Sequence, residues 1–153
     1  MIQFQEGRVD SGDGGTLEGA MREEMRELYA GLDLQGPDMP KAGPDELNPP
    51  RGAFLVGYED GVATCCGGIK RLDDAICEIK RMYVIPAARG RGVARILLEA
   101  LERQARELGY TVARLDTGPK QPGAQHLYES AGYDPIPNFN ANPVATFFGE
   151  KRL

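Results

Sequence analysis

Tryptophan is absent from this 153-residue chain, histidine occurs once, cysteine three times, and aromatic side chains make up only 7% of it. A lone His126 and cysteines at 65, 66 and 77 give no metal-ligand spacing, so no metal is expected. The odd cysteine count reads as buried reduced thiols on strands, not as a disulfide framework. No run approaches the roughly eighteen apolar residues of a membrane span. MIQFQEGRVD has no basic segment followed by an apolar one, so the expectation is a cytoplasmic protein with no membrane partner. Basic residues are in deficit as well, with 18 Lys and Arg against 23 Asp and Glu and a net charge of −5. Without a basic face or an aromatic-rich RNA motif, no nucleic-acid partner is expected.

What is present suits one domain with a sizeable core, expected to span 1–153, with 41% hydrophobic and 27% charged residues. Residues 2–10 read as a short edge strand and Ser11 to Gly15 as a glycine-rich turn. From Thr16, read as an N-cap, Leu17, Met21, Met25 and Leu28 recur at helical spacing to about Gly31. The stretch from Asp33 to Arg51 holds Pro37, Pro40, Pro44, Pro49 and Pro50 and is too long for a plain connector. FLVGY, VATCCGGIK and AICEIKRMYV, parted by turns at Glu59 to Gly61 and at Asp73-Asp74, read as an antiparallel meander. A helical apolar stripe from Val93 to Leu108 follows and ends at Gly109. Thr111 to Thr117 reads as a strand parallel to Ile76 to Val84, because a helix lies between them. A second helix starts near Pro122, with Ala124, Leu127, Tyr128 and Ala131 on one face, and stops at Gly132. After a loop from Pro135 to Pro143, Ala145 to Arg152 reads as a last strand. The fold class is α/β of the α+β kind, a mixed, mostly antiparallel central sheet flanked by helices.

The stretch PAARGRGVARILL, residues 86–98, carries the clearest chemical signal. A strand ends at proline, an Arg-Gly loop follows, and the loop becomes an apolar helix. Amides at a helix start have no carbonyl partner and sit at the positive end of the dipole, so an anion satisfies both. Gly90 and Gly92 allow close approach or positive φ. Arg89, Arg91 and Arg95 add charge beside it.

Meander, RGRGVA loop, helix, strand and then LYESAGY together resemble the GNAT superfamily of acyl-CoA-dependent N-acetyltransferases, over roughly residues 52–134. Arg89, Gly92 and Ala94 meet the family pattern Q/R-x-x-G-x-G/A. The resemblance implies acetyl-CoA as cosubstrate, with the backbone of Arg89, Gly90, Arg91, Gly92, Val93 and Ala94 around its pyrophosphate. It also implies that two central strands part, so that the segment Met82, Tyr83, Val84 borders the pantetheine arm. Met82 and Val84 would then offer backbone groups, the Met82 N–H near the thioester carbonyl.

Tyr128 matches the family tyrosine that protonates the leaving thiolate, a step open to a phenol of pKa about 10; the alternative is a structural tyrosine on an apolar helix face. Glu78 matches the strand glutamate that serves some members as base, yet Lys80 shares its strand face and offers an ion pair instead. Gln121 stands where many relatives carry a cofactor-contacting asparagine. His126 lies off the apolar stripe and is expected to face solvent. The implied reaction is direct acetyl transfer to a primary amine of a small or amino-acid-like molecule. A peptide or protein amine, a non-catalytic acyl-CoA sensor, and a covalent route through a cysteine are the alternatives. The resemblance is compatible with a homodimer.

Overall fold

The computed structural model describes residues 1–153. Seven strands form one sheet: β1 (Ile2–Glu6), β2 (Ala53–Glu59), β3 (Val62–Arg71), β4 (Ile76–Val84), β5 (Val112–Thr117), β6 (Asp134–Pro135) and β7 (Phe147–Arg152). Their order across the sheet is β1-β2-β3-β4-β5-β7-β6. Only β4 and β5 run parallel, every other neighbouring pair being antiparallel. Connection length is the cause. β2 turns into β3 through Asp60 and Gly61, both at positive φ, whereas β4 reaches β5 by way of α2 (Val93–Glu107), a crossover long enough to restore the strand direction. The mixed, mostly antiparallel α+β sheet flanked by helices is the expected architecture.

Strand alternation gives the sheet two apolar faces. Leu55, Cys65, Ile69, Cys77, Ile79 and Leu115 pack against Leu97, Leu98 and Leu101 of α2 and Tyr128 of α3 (Pro122–Ser130). Phe54, Val56, Cys66 and Tyr83 pack against Leu17, Met21 and Met25 of α1 (Gly12–Leu28). The proline-rich segment closes the α1 face by burying Ala42 and Leu47. No helix is long and apolar enough to cross a membrane.

Several boundaries differ from the sequence reading. α1 begins at Gly12, inside the stretch read as a turn, with Ser11 at its N-cap and Thr16 already in the second turn, its hydroxyl donating to the Gly12 carbonyl at 3.1 Å. The glycines serve close approach here: a Cβ on Gly14 would run into the Arg8 carbonyl. A 3₁₀ turn at Pro86–Ala88 and the two-residue β6 carry no legible sequence pattern. β1 and β7 are shorter than read, ending at Glu6 and starting at Phe147.

Candidate active site

The sheet opens where β4 and β5 part. They pair only at Ile76↔Val112, Cys77↔Ala113 and Glu78↔Arg114, so the rest of β4 has no partner on its β5 side. A bulge makes use of this gap. The β3–β4 register passes from Gly68↔Lys80 to Cys66↔Tyr83, leaving Arg81 and Met82 opposite Gly67 alone. Arg81 holds φ at 58°, a conformation that costs a non-glycine residue roughly 1–3 kcal/mol. The extra residue resets the alternation: Arg81 stays on the α1 face with Lys80, 3.7 Å from Glu18, and Met82 and Val84 join the α2–α3 face. The Ile85 N–H donates to the Thr64 carbonyl across the β3 ladder. By alternation the backbone groups of Met82 and Val84 turn toward the gap. One of these is engaged, since the Val84 carbonyl accepts from Arg89 Nε at 2.9 Å.

The loop after β4 is a ring of free donors. None of the N–H groups from Gly90 to Arg95 has a backbone acceptor. Gly92 caps α2 with φ 79°, and Gly90 has the same φ. A Cβ on either would meet open space, so the backbone angle, not crowding, calls for glycine. The arginines are less free than their number suggests. Arg89 binds Glu24 at 2.8 Å and lies over the Tyr83 ring, Arg91 binds Glu59 at 2.9 Å, and Arg95 donates to the Ser130 hydroxyl. Attraction for an anion therefore rests on the amides and the α2 dipole, with Arg89 and Arg91 largely neutralised by their partners.

Tyr128 projects from α3 to the same gap. It is 8% exposed, its hydroxyl lies 3.7 Å from Met82 Sδ, and its ring meets Tyr133 edge-on. Burial, with Asp116 nearby, pushes its pKa up. Gln121, just before α3, accepts from the Tyr29 hydroxyl at 3.2 Å and faces Thr117 at 3.5 Å. Tyr29 also receives the Lys120 N–H, and Gly118 leaves room for its ring: a Cβ there would strike the hydroxyl. Gln121 thus ties α1 to the β5–α3 loop. His126 is exposed, as its position off the stripe implies.

A cavity of about 120 Å³ opens beside Tyr128. Met21, Met25, Met39 and Met82 line it, four of the chain's five methionines. Its polar wall holds Lys80 and Arg81 of β4 and Asp116 of β5. Asn140 Nδ2 donates to Asp116 Oδ2 at 2.7 Å and to Glu78 Oε2 at 2.8 Å, and Asn142 Nδ2 donates to Asp116 Oδ2 at 3.0 Å. Glu78 does not line the cavity. It is 0% exposed, paired with Lys80 at 3.1 Å, and its Oε1 has no partner. The ion pair open to it in the sequence is therefore formed.

A sequence profile of the acetyltransferase (GNAT) family matches residues 19–133. The chain belongs to the GNAT acetyltransferase family. It is similar to a protein of Azospirillum brasilense named IAA acetyltransferase, 36% identical over 104 residues, which are 65% of this chain and 67% of that one. A structure described as an acyl-CoA N-acyltransferase from Klebsiella pneumoniae superposes with TM-score 0.78 at 28% identity, over 100% of this chain and 98% of the other. The fold is shared with a GNAT acetyltransferase of Elizabethkingia anophelis bound to acetyl-CoA, at TM-score 0.69 and 16% identity, covering 99% and 98%.

In this acetyl-CoA-dependent acetyltransferase the cysteines are poor nucleophiles. All three are free and buried, burial pushes the Cys77 thiol up to about 12 and raises Cys65 and Cys66 as well, and none lines the cavity. A covalent route is disfavoured on that ground. Arg81 and Asp116 escaped the sequence reading because the groups around them are remote in sequence, Glu18 and Leu34 for Arg81 and Asn140 and Asn142 for Asp116. Asn140 and Asn142 belong to the loop read between Pro135 and Pro143, but the carboxylates they hold, Glu78 and Asp116, were not legible from it.

Proposed function

We propose that this GNAT enzyme moves an acetyl group from acetyl-CoA directly to a primary amine of a small or amino-acid-like molecule. The observation that carries this reading is the meeting of the Tyr128 hydroxyl with Met82 at the mouth of the β4–β5 gap. The unpaired amides from Gly90 to Arg95 fit a pyrophosphate, so the backbone from Arg89 to Ala94 would hold it. The segment Met82, Tyr83, Val84 would border the pantetheine arm, the backbone groups of Met82 and Val84 being the ones turned to the gap, with Gln121 ordering the adjoining loop. When bound, acetyl-CoA supplies an acyl thioester whose carbon–sulfur bond breaks as a carbon–nitrogen bond to the amine forms.

The residues divide the proton and charge work. The Met82 N–H donates to the carbonyl oxygen as negative charge grows there. Tyr128, kept protonated by burial, gives its proton to the departing sulfur. The acceptor must first lose an ammonium proton. Asp116 takes it, because it lines the cavity, whereas a base role for Glu78 requires water to reach a fully buried carboxylate. Glu78 then holds Lys80 and Asn140 in place. The cavity is walled on both sides by loops, Leu34 and Met39 on one and Asn142 and Val144 on the other, which favours a small acceptor over a lysine on a folded protein.

Calorimetric titration with acetyl-CoA, then thiol release with a panel of amines, tests the reading. Micromolar binding and amine-dependent thiol release are expected. Absence of binding at high micromolar acetyl-CoA would sink the cofactor assignment; binding without release for any amine or peptide would favour a sensor.

A further inference from the structure

We infer that the acceptor carries a carboxylate beside its amine, and that Arg81 is the residue that binds the carboxylate. The inference rests on the acetyl-transfer reading above and names the substrate class for the same cavity.

Arg81 is a cation without a satisfied counterion. Its side chain is 8% exposed, its Nε has no hydrogen-bond partner, and its one hydrogen bond runs from Nη2 to the Leu34 carbonyl at 3.4 Å. Glu18 is the nearest carboxylate, yet Arg22 already holds both of its oxygens at 2.8 and 2.9 Å. Glu18 Oε2 stands 3.7 Å from Arg81 Nε, beyond hydrogen-bond reach. Two guanidinium groups thus share one carboxylate. A buried, underpaired guanidinium is costly unless something completes it, and a planar fork of N–H donors matches a carboxylate. The side chain lines the cavity and also an adjoining recess formed by Leu34, Pro37, Met39 and Pro40.

The opposite wall supplies the complementary charge. Neighbouring Lys80 is already matched by Glu78, so it adds no free cation. Asp116 has no cationic partner: two asparagine amides hold its Oδ2, and no hydrogen bond engages Oδ1. One unmatched cation on β4 and one unmatched anion on β5 therefore face the same space across the parted strands, beneath a wall of methionines that adapts to varied apolar shapes. A molecule with an ammonium, a carboxylate and an apolar body, such as a hydrophobic amino acid, meets all three surfaces. A simple alkylamine leaves Arg81 unpaired.

Wild-type enzyme, acetyl-CoA and matched probes decide the matter: methionine, leucine and phenylalanine against their methyl esters and their decarboxylated amines, read as thiol release. The amino acids should exceed both analogues in kcat/KM by about 100-fold, chiefly through KM. In Arg81→Met that ratio should collapse to about threefold or less, with Arg81→Lys keeping an intermediate ratio, since an ammonium retains charge without the fork. Equal rates for acid, ester and amine in the wild type would overturn the inference and leave acetyl transfer standing. So would a ratio that survives in Arg81→Met. The wild-type comparison needs no variant, and unchanged coenzyme A affinity shows that Arg81→Met is folded. A second readout uses no turnover: coenzyme A-loaded wild type should bind N-acetylmethionine at least about tenfold more tightly than its methyl ester, and equal binding, or none of either, would also overturn it. Failure of acetyl-CoA to bind at all would instead strike the acetyl-transfer reading.

Discussion

The Tyr128 hydroxyl reaches Met82 Sδ at 3.7 Å because Arg81, one residue before Met82, takes a φ of 58°. Without that bulge the strict alternation of β4 would send Met82 to the α1 face with Lys80, and α3 would close over a different side chain. The backbone N–H aimed at the gap and the phenol above it are placed by the same local distortion.

Tyr128→Phe removes the proposed proton donor and leaves the ring. We expect kcat to fall about 10²- to 10⁴-fold while acetyl-CoA affinity, measured by calorimetry, stays within about threefold, because the amides proposed to hold the pyrophosphate lie on the loop that opens α2. Burial raises the phenol above its ordinary pKa of 10.0, so it stays protonated throughout neutral pH. The wild-type pH–rate profile should therefore show no loss of the acid below about pH 10. An unchanged kcat in the variant removes the acid role.

Asp116→Asn and Glu78→Gln separate base from scaffold. Asp116→Asn should lower kcat about 100-fold. Glu78→Gln leaves Lys80 buried without its counterion, a loss of about 3–5 kcal/mol for a broken buried pair, read as a lower Tm. A folded Glu78→Gln that loses kcat as deeply as Asp116→Asn would return the base role to Glu78.

Gly92→Ala tests the cradle through the backbone alone. The added methyl meets open space, but φ 79° is unfavourable for alanine by about 1–2 kcal/mol. The Tm should drop, and acetyl-CoA should bind about tenfold more weakly as the loop relaxes and its amides turn. Unaltered affinity in calorimetry would mean that the loop does not hold the cofactor.

Gly118→Ala pushes the methyl into the Tyr29 hydroxyl, and Tyr29→Phe removes that hydroxyl from Gln121 and from the Lys120 N–H. Both variants loosen the loop before α3. Each should reduce kcat/KM about tenfold, in line with a misplacement at one remove from the chemistry, and circular dichroism should show the helices intact.

Alkali should destabilise the fold by way of its thiols. The ordinary thiol value is 9.0, and burial holds Cys77 up to about 12. Between these pH values the unfolded chain has released a proton that the folded chain retains, so stability is present below about pH 9 and falls as pH rises toward 12. Thermal melts across pH 8 to 11 should show a declining Tm, less steep in Cys77→Ala.

Local signals carried much of the fold. Alternation in FLVGY and VATCCGGIK, the apolar stripe from Val93 to Leu108 and the Gly109 stop are short-range patterns, and their strands and helices formed where read. Those signals failed at Gly12 to Gly15, where glycines that look like a turn make room for a helix against the Arg8 carbonyl. In the site, RGRGVA was legible as a helix-opening loop, its amides free from Gly90 onward, because helix-start chemistry needs only adjacent residues.

The chain's sequence by itself determined most of the order of strands and helices, the glycine-rich loop that opens α2 and the presence of Tyr128 on an apolar helix face, since each depends on neighbours within a turn or two. Only the tertiary structure decided that β4 and β5 part after Glu78, that the bulge at Arg81 turns Met82 toward Tyr128, and that Arg81 and Asp116 line one cavity. Those relationships join segments separated by dozens of residues, and the packing of two helical layers on a twisted sheet brings them together.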